Sequence, residues 1–172
     1  EILVKIFVEV DLEAFGIIEG ATVDNFMAFQ ALFDFYDGQS VYLSLPKGNY
    51  GVSFNDRINF TQSRSLVGLK IPSNITFDGN GSIFHVLDET SVRTHVFTNN
   101  DWDNGNTNII VKDFTIQCNH LGSYSTLYES DYRINGITFF NVENSLVENV
   151  EVLNGYGYGI WFYNTHYATV QN

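Results

Sequence analysis

The sequence predicts an all-β fold: a parallel β-helix (β-solenoid) with an N-terminal capping α-helix, truncated at its C-terminal end. Three observations lead there. The composition favours pleated strands, one amphipathic helix stands near the start, and short apolar runs recur in a fixed register.

The 172 residues include 15 Phe and 10 Tyr against 2 Pro and 1 Met. Aromatic and β-branched side chains suit half-buried sheet surfaces. Asn tolerates the left-handed turn conformations that link short strands. Residues 2–10 (ILVKIFVEV) read as an entering strand. In residues 22–36, Phe26, Phe29, Leu32, Phe33 and Tyr36 recur at helical spacing, with Thr22 or Asp24 as N-cap and Asp37-Gly38 as the stop. Val41-Tyr42-Leu43 then forms a strand before a turn at Pro46–Asn49.

Four segments align on one apolar position: Phe77, Val111, Val147 and Val170, separated by 34, 36 and 23 residues. Gly136-Ile137 and Gly159-Ile160 repeat the last spacing. A unit of this size holding two or three strands is one coil of a solenoid, stacked on the next at about 4.8 Å. The longer spacings place an inserted loop near 119–134. A leucine-rich repeat lacks support because no Leu ladder is present. An antiparallel sandwich gives alternation but no fixed register. The chain therefore divides into residues 1–50 (N-terminal strand, capping helix and first coil) and residues 51–172 (further coils), as one continuous domain. The helix is expected to cover the exposed edges and open core of the first coil. No counterpart follows the fourth copy, so the native protein is expected to continue past Asn172.

The net charge of −12 opposes nucleic acid and anionic membranes, so neither is an expected partner. Cys118 is the single cysteine, which excludes an intrachain disulfide; its alternating apolar run makes it a small buried side chain.

Three phrases stand out: Phe15-Gly16 through Asp24-Asn25 with Ala28-Phe29-Gln30-Ala31; Val41-Tyr42-Leu43 with Pro46-Lys47-Gly48-Asn49-Tyr50; and Leu69 through Gly81. Together they resemble the pectate-lyase-like superfamily of right-handed β-helices, in the branch of phage tailspikes and polysaccharide lyases, hydrolases and epimerases. The third matches closely, and the second is interrupted by Ser44-Leu45, which implies a longer strand or a bulge. The resemblance implies a right-handed helix that handles a polysaccharide in an extracellular, cell-surface or virion setting.

Rings that could stack on sugars are Trp102, Tyr124, Tyr128, Tyr132, Tyr156, Tyr158 and Trp161, with Trp161 outward if Ile160 and Phe162 point in. Glycosidase chemistry needs two carboxyl groups across the scissile bond. Asp101 and Asp103 flank Trp102, and Glu129 and Asp131 lie near Arg133. Elimination or epimerisation at a uronic acid needs a base and a cation, which Arg133, His120 and Tyr132 could supply. The candidate catalytic residues are thus Asp101, Asp103, Asp131 and Arg133. The candidate substrate-binding residues are Trp102, His120, Tyr128, Tyr132 and Trp161. No cofactor is expected, although Asp101, Asp103 and Asp113 could hold Ca²⁺. His85 and His95 read as structural. Two functions remain: a hydrolase or lyase degrading a polysaccharide, or a non-catalytic glycan-binding adhesin or tail-fibre module. A third reading is a structural shaft in a homotrimeric fibre.

Overall fold

The computed structural model describes residues 5–54, 56–60, 63–87, 93–118 and 134–172. Its elements run β1 (Ile6–Glu9), α1 (Leu12–Phe15), β2 (Gly20–Asp24), α2 (Phe26–Phe35), β3 (Val41–Ser44), β4 (Asn49–Val52), β5 (Asp56–Phe60), β6 (Ser63–Ile71) and β7 (Ile75–Val86). They continue with β8 (Arg93–Asn99), β9 (Asn106–Gln117), β10 (Ile134–Phe140), β11 (Val142–Leu153), β12 (Ile160–Tyr163) and β13 (His166–Gln171).

Two sheets face each other across one core. Sheet I has the order β1-β3-β7-β9-β11-β13, with β4 pairing β2 and β7 at its side. Sheet II has the order β12-β10-β8-β6-β5. Among the described residues every pairing is parallel except the β5–β6 hairpin. The chain alternates between the sheets and returns one strand further along each time, which is a parallel β-helix.

The aligned apolar positions are true neighbours. Phe77 pairs with Val111, Val111 with Val147, and Val147 with Val170. Ile137 pairs with Ile160. The same column extends back to Leu43 and Val8, two coils that the sequence pattern did not reveal. Inward residues of sheet I (Leu43, Phe77, Val111, Val147) meet Leu69, Phe97, Ile137 and Phe139 of sheet II in one buried core.

The turns of sheet I rely on left-handed Asn. Asn74, Asn108 and Asn144 have φ of 66°, 58° and 57° at equivalent places. Asn tolerates this region because its short amide can bond locally, and here it also bonds between coils: Asn108 Nδ2 donates to Asn74 Oδ1 at 2.9 Å. Asn149 to Asp113 (2.9 Å) and Asn164 to Asn141 (2.6 Å) repeat the contact elsewhere.

The helix begins later than its periodicity implies. Residues 20–24 pair with β4 as a strand, so Asn25 stands at the N-cap and neither Thr22 nor Asp24 does. Asp24 instead accepts from the Phe26 and Ser53 backbone N–H groups, both at 3.0 Å. The buried face of α2 packs into the core: Phe29 meets Tyr50 and Phe84, and Phe33 meets Phe77, at centroid distances of 5.3–5.5 Å. Gln30 does what a further strand would do. Its Oε1 accepts from Lys70 N at 2.9 Å and its Nε2 donates to Lys70 O at 3.2 Å, pairing both groups of that β6 residue. The Ser44-Leu45 insertion lengthens the pairing of β3, since Leu45 N still donates to Asp78 O.

Candidate functional site

A second aromatic cluster lies on the outer face of sheet II, outside the main core. Val67, Trp102 and Phe140 are buried there, with Trp161 partly buried against them. Alternation along β12 explains the placing: Ile160 and Phe162 pack against the main core, so Trp161 faces out. Trp102 and Phe140 lie 4.2 Å apart, and Tyr158 and Trp161 lie 5.5 Å apart. Tyr158 and Tyr163 are about half exposed, at 49% and 51%.

His95 sits at the centre. Its ring contacts Trp102, Phe140 and Trp161 at 5.4, 5.8 and 6.2 Å, the last nearly parallel. His95 Nδ1 lies 2.9 Å from Thr138 Oγ1 and 3.3 Å from Asn135 Nδ2. The Tyr158 N–H donates to Asn135 Oδ1, which turns the amide's NH₂ side to the imidazole. Nδ1 therefore accepts, and a neutral ring carries its proton on Nε2.

This arrangement departs from strict alternation. In a regular strand Asn135 and Thr138 face opposite ways, yet both reach the same nitrogen. Gly136 stands between them. A Cβ there would stand 2.6 Å from the Gly159 carbonyl oxygen, so only glycine lets β10 and the next coil approach this closely.

Of the expected site residues, the structure brings Trp102 and Trp161 together and places Asp101 and Asp103 in the turn after β8. Trp102 corrects an expectation. It is only 6% exposed and its Nε1–H donates to Thr98 Oγ1 at 2.8 Å, so it packs the floor of the cluster and leaves no open face to a sugar. Asp101 accepts from the Asn104 backbone and side-chain N–H groups at 2.9 and 3.1 Å. Those bonds hold its carboxyl below the usual range, which suits a turn cap better than a proton donor. Asp103 is exposed beside it. His120, Tyr124, Tyr128, Glu129, Asp131, Tyr132 and Arg133 lie outside the described residues, as does the loop expected near 119–134 except for Ile134, which opens β10.

The Ca²⁺ set does not assemble. Among the described residues no three acidic, His or Cys side chains gather as metal ligands. Asp113 belongs instead to a polar ladder across sheet I, where Asp78, Lys112, Glu148 and Gln171 stand in register. Lys112 Nζ reaches Asp113 at 3.0 Å, Glu148 at 3.8 Å and Asp78 at 4.0 Å. Tyr42 donates to Asp78, and Gln171 to Glu148. The bond to Asp113 raises the Lys112 pKa. Desolvation pushes Asp113 up, but Asn149 and Lys112 outweigh it and the net shift is downward. A shallow concavity of about 660 Å³ runs beside this ladder, past Asp113, Asn149 and Glu151.

His95 was missed as a site residue because its partners are 40 and 43 residues away in the sequence. The clue available was its register, since His95 pairs with Asn135 across β8 and β10.

No protein-family model matches the chain. It is 28% identical over 162 residues to the putative phage-related protein YobO of Bacillus subtilis (strain 168), covering 92% of this chain and 18% of that protein. Among solved structures it is similar to the A-module of the Azotobacter vinelandii mannuronan C-5 epimerase AlgE6, with a TM-score of 0.63, 18% identity, and coverage of 92% of this chain and 40% of that one. The AlgE4 A-module from the same organism gives a TM-score of 0.64 at 16% identity, covering 95% and 41%. The chain thus spans under a fifth of the curated relative and less than half of either module, and its likeness to the two modules is that of a shared parallel β-helix fold.

Proposed function

We propose that the outer face of sheet II is the glycan-binding face of a polysaccharide-active protein. The observation that carries this reading is His95 held by Asn135 and Thr138 beneath Trp161, with half-exposed Tyr158 and Tyr163 alongside. Aromatic rings accept the apolar faces of sugars, and fixed amides and hydroxyls bond their hydroxyl groups. Support comes from two fold neighbours whose names give mannuronan as the polymer they act on.

In the finer reading the protein degrades an extracellular or cell-surface polysaccharide by hydrolysis or elimination. Asp103 and Asp131 are then the acid–base candidates, and Arg133 is the cation that neutralises a uronate carboxylate. The helix is right-handed, α2 is its N-terminal cap, and a homotrimer is the assembly proposed. The test is incubation with capsular, teichoic, pectic and alginate polymers, reading new reducing ends and the absorbance of unsaturated uronides. Release of either supports degradation. A blank on every polymer, with binding retained, overturns it.

One observation favours the adhesin reading: the Asp101 carboxylate is already committed to Asn104. In that case, replacing Asp101, Asp103, Asp131 and Arg133 together leaves glycan binding unchanged. A large loss of affinity rejects it.

A further inference from the structure

Sheet I carries a separate recess of about 320 Å³ along one line of turns. Its wall is a column of residues that each precede one aligned row of strand positions: Lys5, Ser40, Asn74, Asn108, Asn144 and Tyr167. Its floor includes Ile110 and Leu146, outward residues paired across β9 and β11.

Several features distinguish this recess from an ordinary crease. The chain carries a net charge of −12, yet no acidic residue lines the recess and a lysine does. Lys5 Nζ donates to Thr76 Oγ1 at 2.6 Å, and among the described residues no carboxylate pairs with it. Burial lowers its pKa, so an ammonium partly stripped of water stands without a counter-charge among the described residues. The Ser40 and Ser145 hydroxyls in the lining are buried and, among the described residues, have no hydrogen-bond partner. Tyr167, 78% exposed, is held in the left-handed region at φ 54°, which a bulky residue seldom adopts.

We propose that this recess is a second carbohydrate subsite that takes an acidic sugar unit of a polysaccharide chain, with the sugar carboxylate at Lys5. Ser40 and the Asn amides meet the ring hydroxyls. Ile110, Leu146 and the Tyr167 ring cover the apolar ring face. The turns repeat at the coil spacing of about 4.8 Å, close to the advance of one sugar in an extended chain, so successive Asn residues meet successive units. The inference rests on the polysaccharide reading above but concerns a different sheet.

The test is an NMR titration of the isotope-labelled 172-residue chain with mannuronate tetrasaccharide, neutral mannotetraose and acetate. Mannuronate is expected to shift Lys5, Asn74, Asn108 and Asn144. Lys5→Met weakens that binding about tenfold, the loss of one charge-assisted contact, and leaves mannotetraose unaffected. Lys5→Arg restores part of it, and unchanged spectra elsewhere report an intact fold. Trp161→Ala leaves these shifts in place, which separates the recess from the sheet II face. Absence of shifts in the column, equal affinity of Lys5→Met, or acetate binding as tightly as the tetrasaccharide overturns the proposal. If the column responds while no glycan perturbs sheet II, the sheet II reading fails and this one stands.

Discussion

At the residue scale, the chemistry on sheet II depends on Gly136. Its missing Cβ admits the Gly159 carbonyl of the next coil, and the flanking Asn135 and Thr138 both reach Nδ1 of His95. Gly136→Ala is expected to destabilise by about 1–3 kcal/mol, the cost of forcing an extra group into close packing, read as a lower urea midpoint. It should also release the Asn135–His95 contact, seen as a changed imidazole nitrogen spectrum. Trp161 is the partly buried ring over this histidine, and Trp161→Ala is expected to weaken polysaccharide binding by about tenfold, a loss of about 1.4 kcal/mol. Unchanged affinity by calorimetry would remove it from the site. Trp102→Ala differs because the ring is buried, and about 3–5 kcal/mol of stability should be lost.

At the element scale, α2 illustrates how one side chain can replace a strand. Gln30 pairs the N–H and C=O of Lys70 at the margin of sheet II, while Phe29 and Phe33 fill the core behind it. Gln30→Ala leaves both backbone groups without that partner, so a loss of about 1–3 kcal/mol is expected, visible by urea denaturation. Gln30→Glu keeps the acceptor for Lys70 N and loses the donor, so an intermediate effect should follow. The helical period of Phe26, Phe29, Leu32 and Phe33 was readable directly. The start was not, because Gly20–Asp24 is recruited by β4, a pairing partner about 27–30 residues later that no local pattern announces.

At the scale of the whole molecule, alkaline stability offers a test. Burial raises the Cys118 thiol to about 11 from an unfolded value near 9. A raised folded pKa contributes stability that is present below the unfolded value and is lost as pH rises through the folded one. The fold should therefore lose roughly 2–3 kcal/mol between about pH 8.5 and 11. Cys118→Ala should flatten that part of the curve, measured by urea denaturation at stepped pH. Tyr42 and Tyr50, both raised, first by burial, add their losses from about pH 10 upward. Lys112, also raised, stabilises below its unfolded value, and that contribution fades as pH rises through the folded one; its ladder lies at a partly exposed surface and contributes at most about 1 kcal/mol. On the acid side Asp101 and Asp113, both lowered, add small terms lost as pH falls through their folded values.

What the sequence determined by itself is the coil stack. Phe77, Val111 and Val147 are apolar because each faces the same core, and Val170, 54% exposed, continues their column; parallel stacking forces equal roles into equal register, so periodicity alone revealed true neighbours. The site was only half legible for the same reason. Trp161 could be placed outward from the alternation of Ile160 and Phe162, a local property of one strand. His95, Asn135 and Thr138 share no local pattern, and Trp102 looked like an open ring in an acidic turn. Only the tertiary structure decides which outward residues of successive coils meet, because that depends on where a glycine lets two coils draw close.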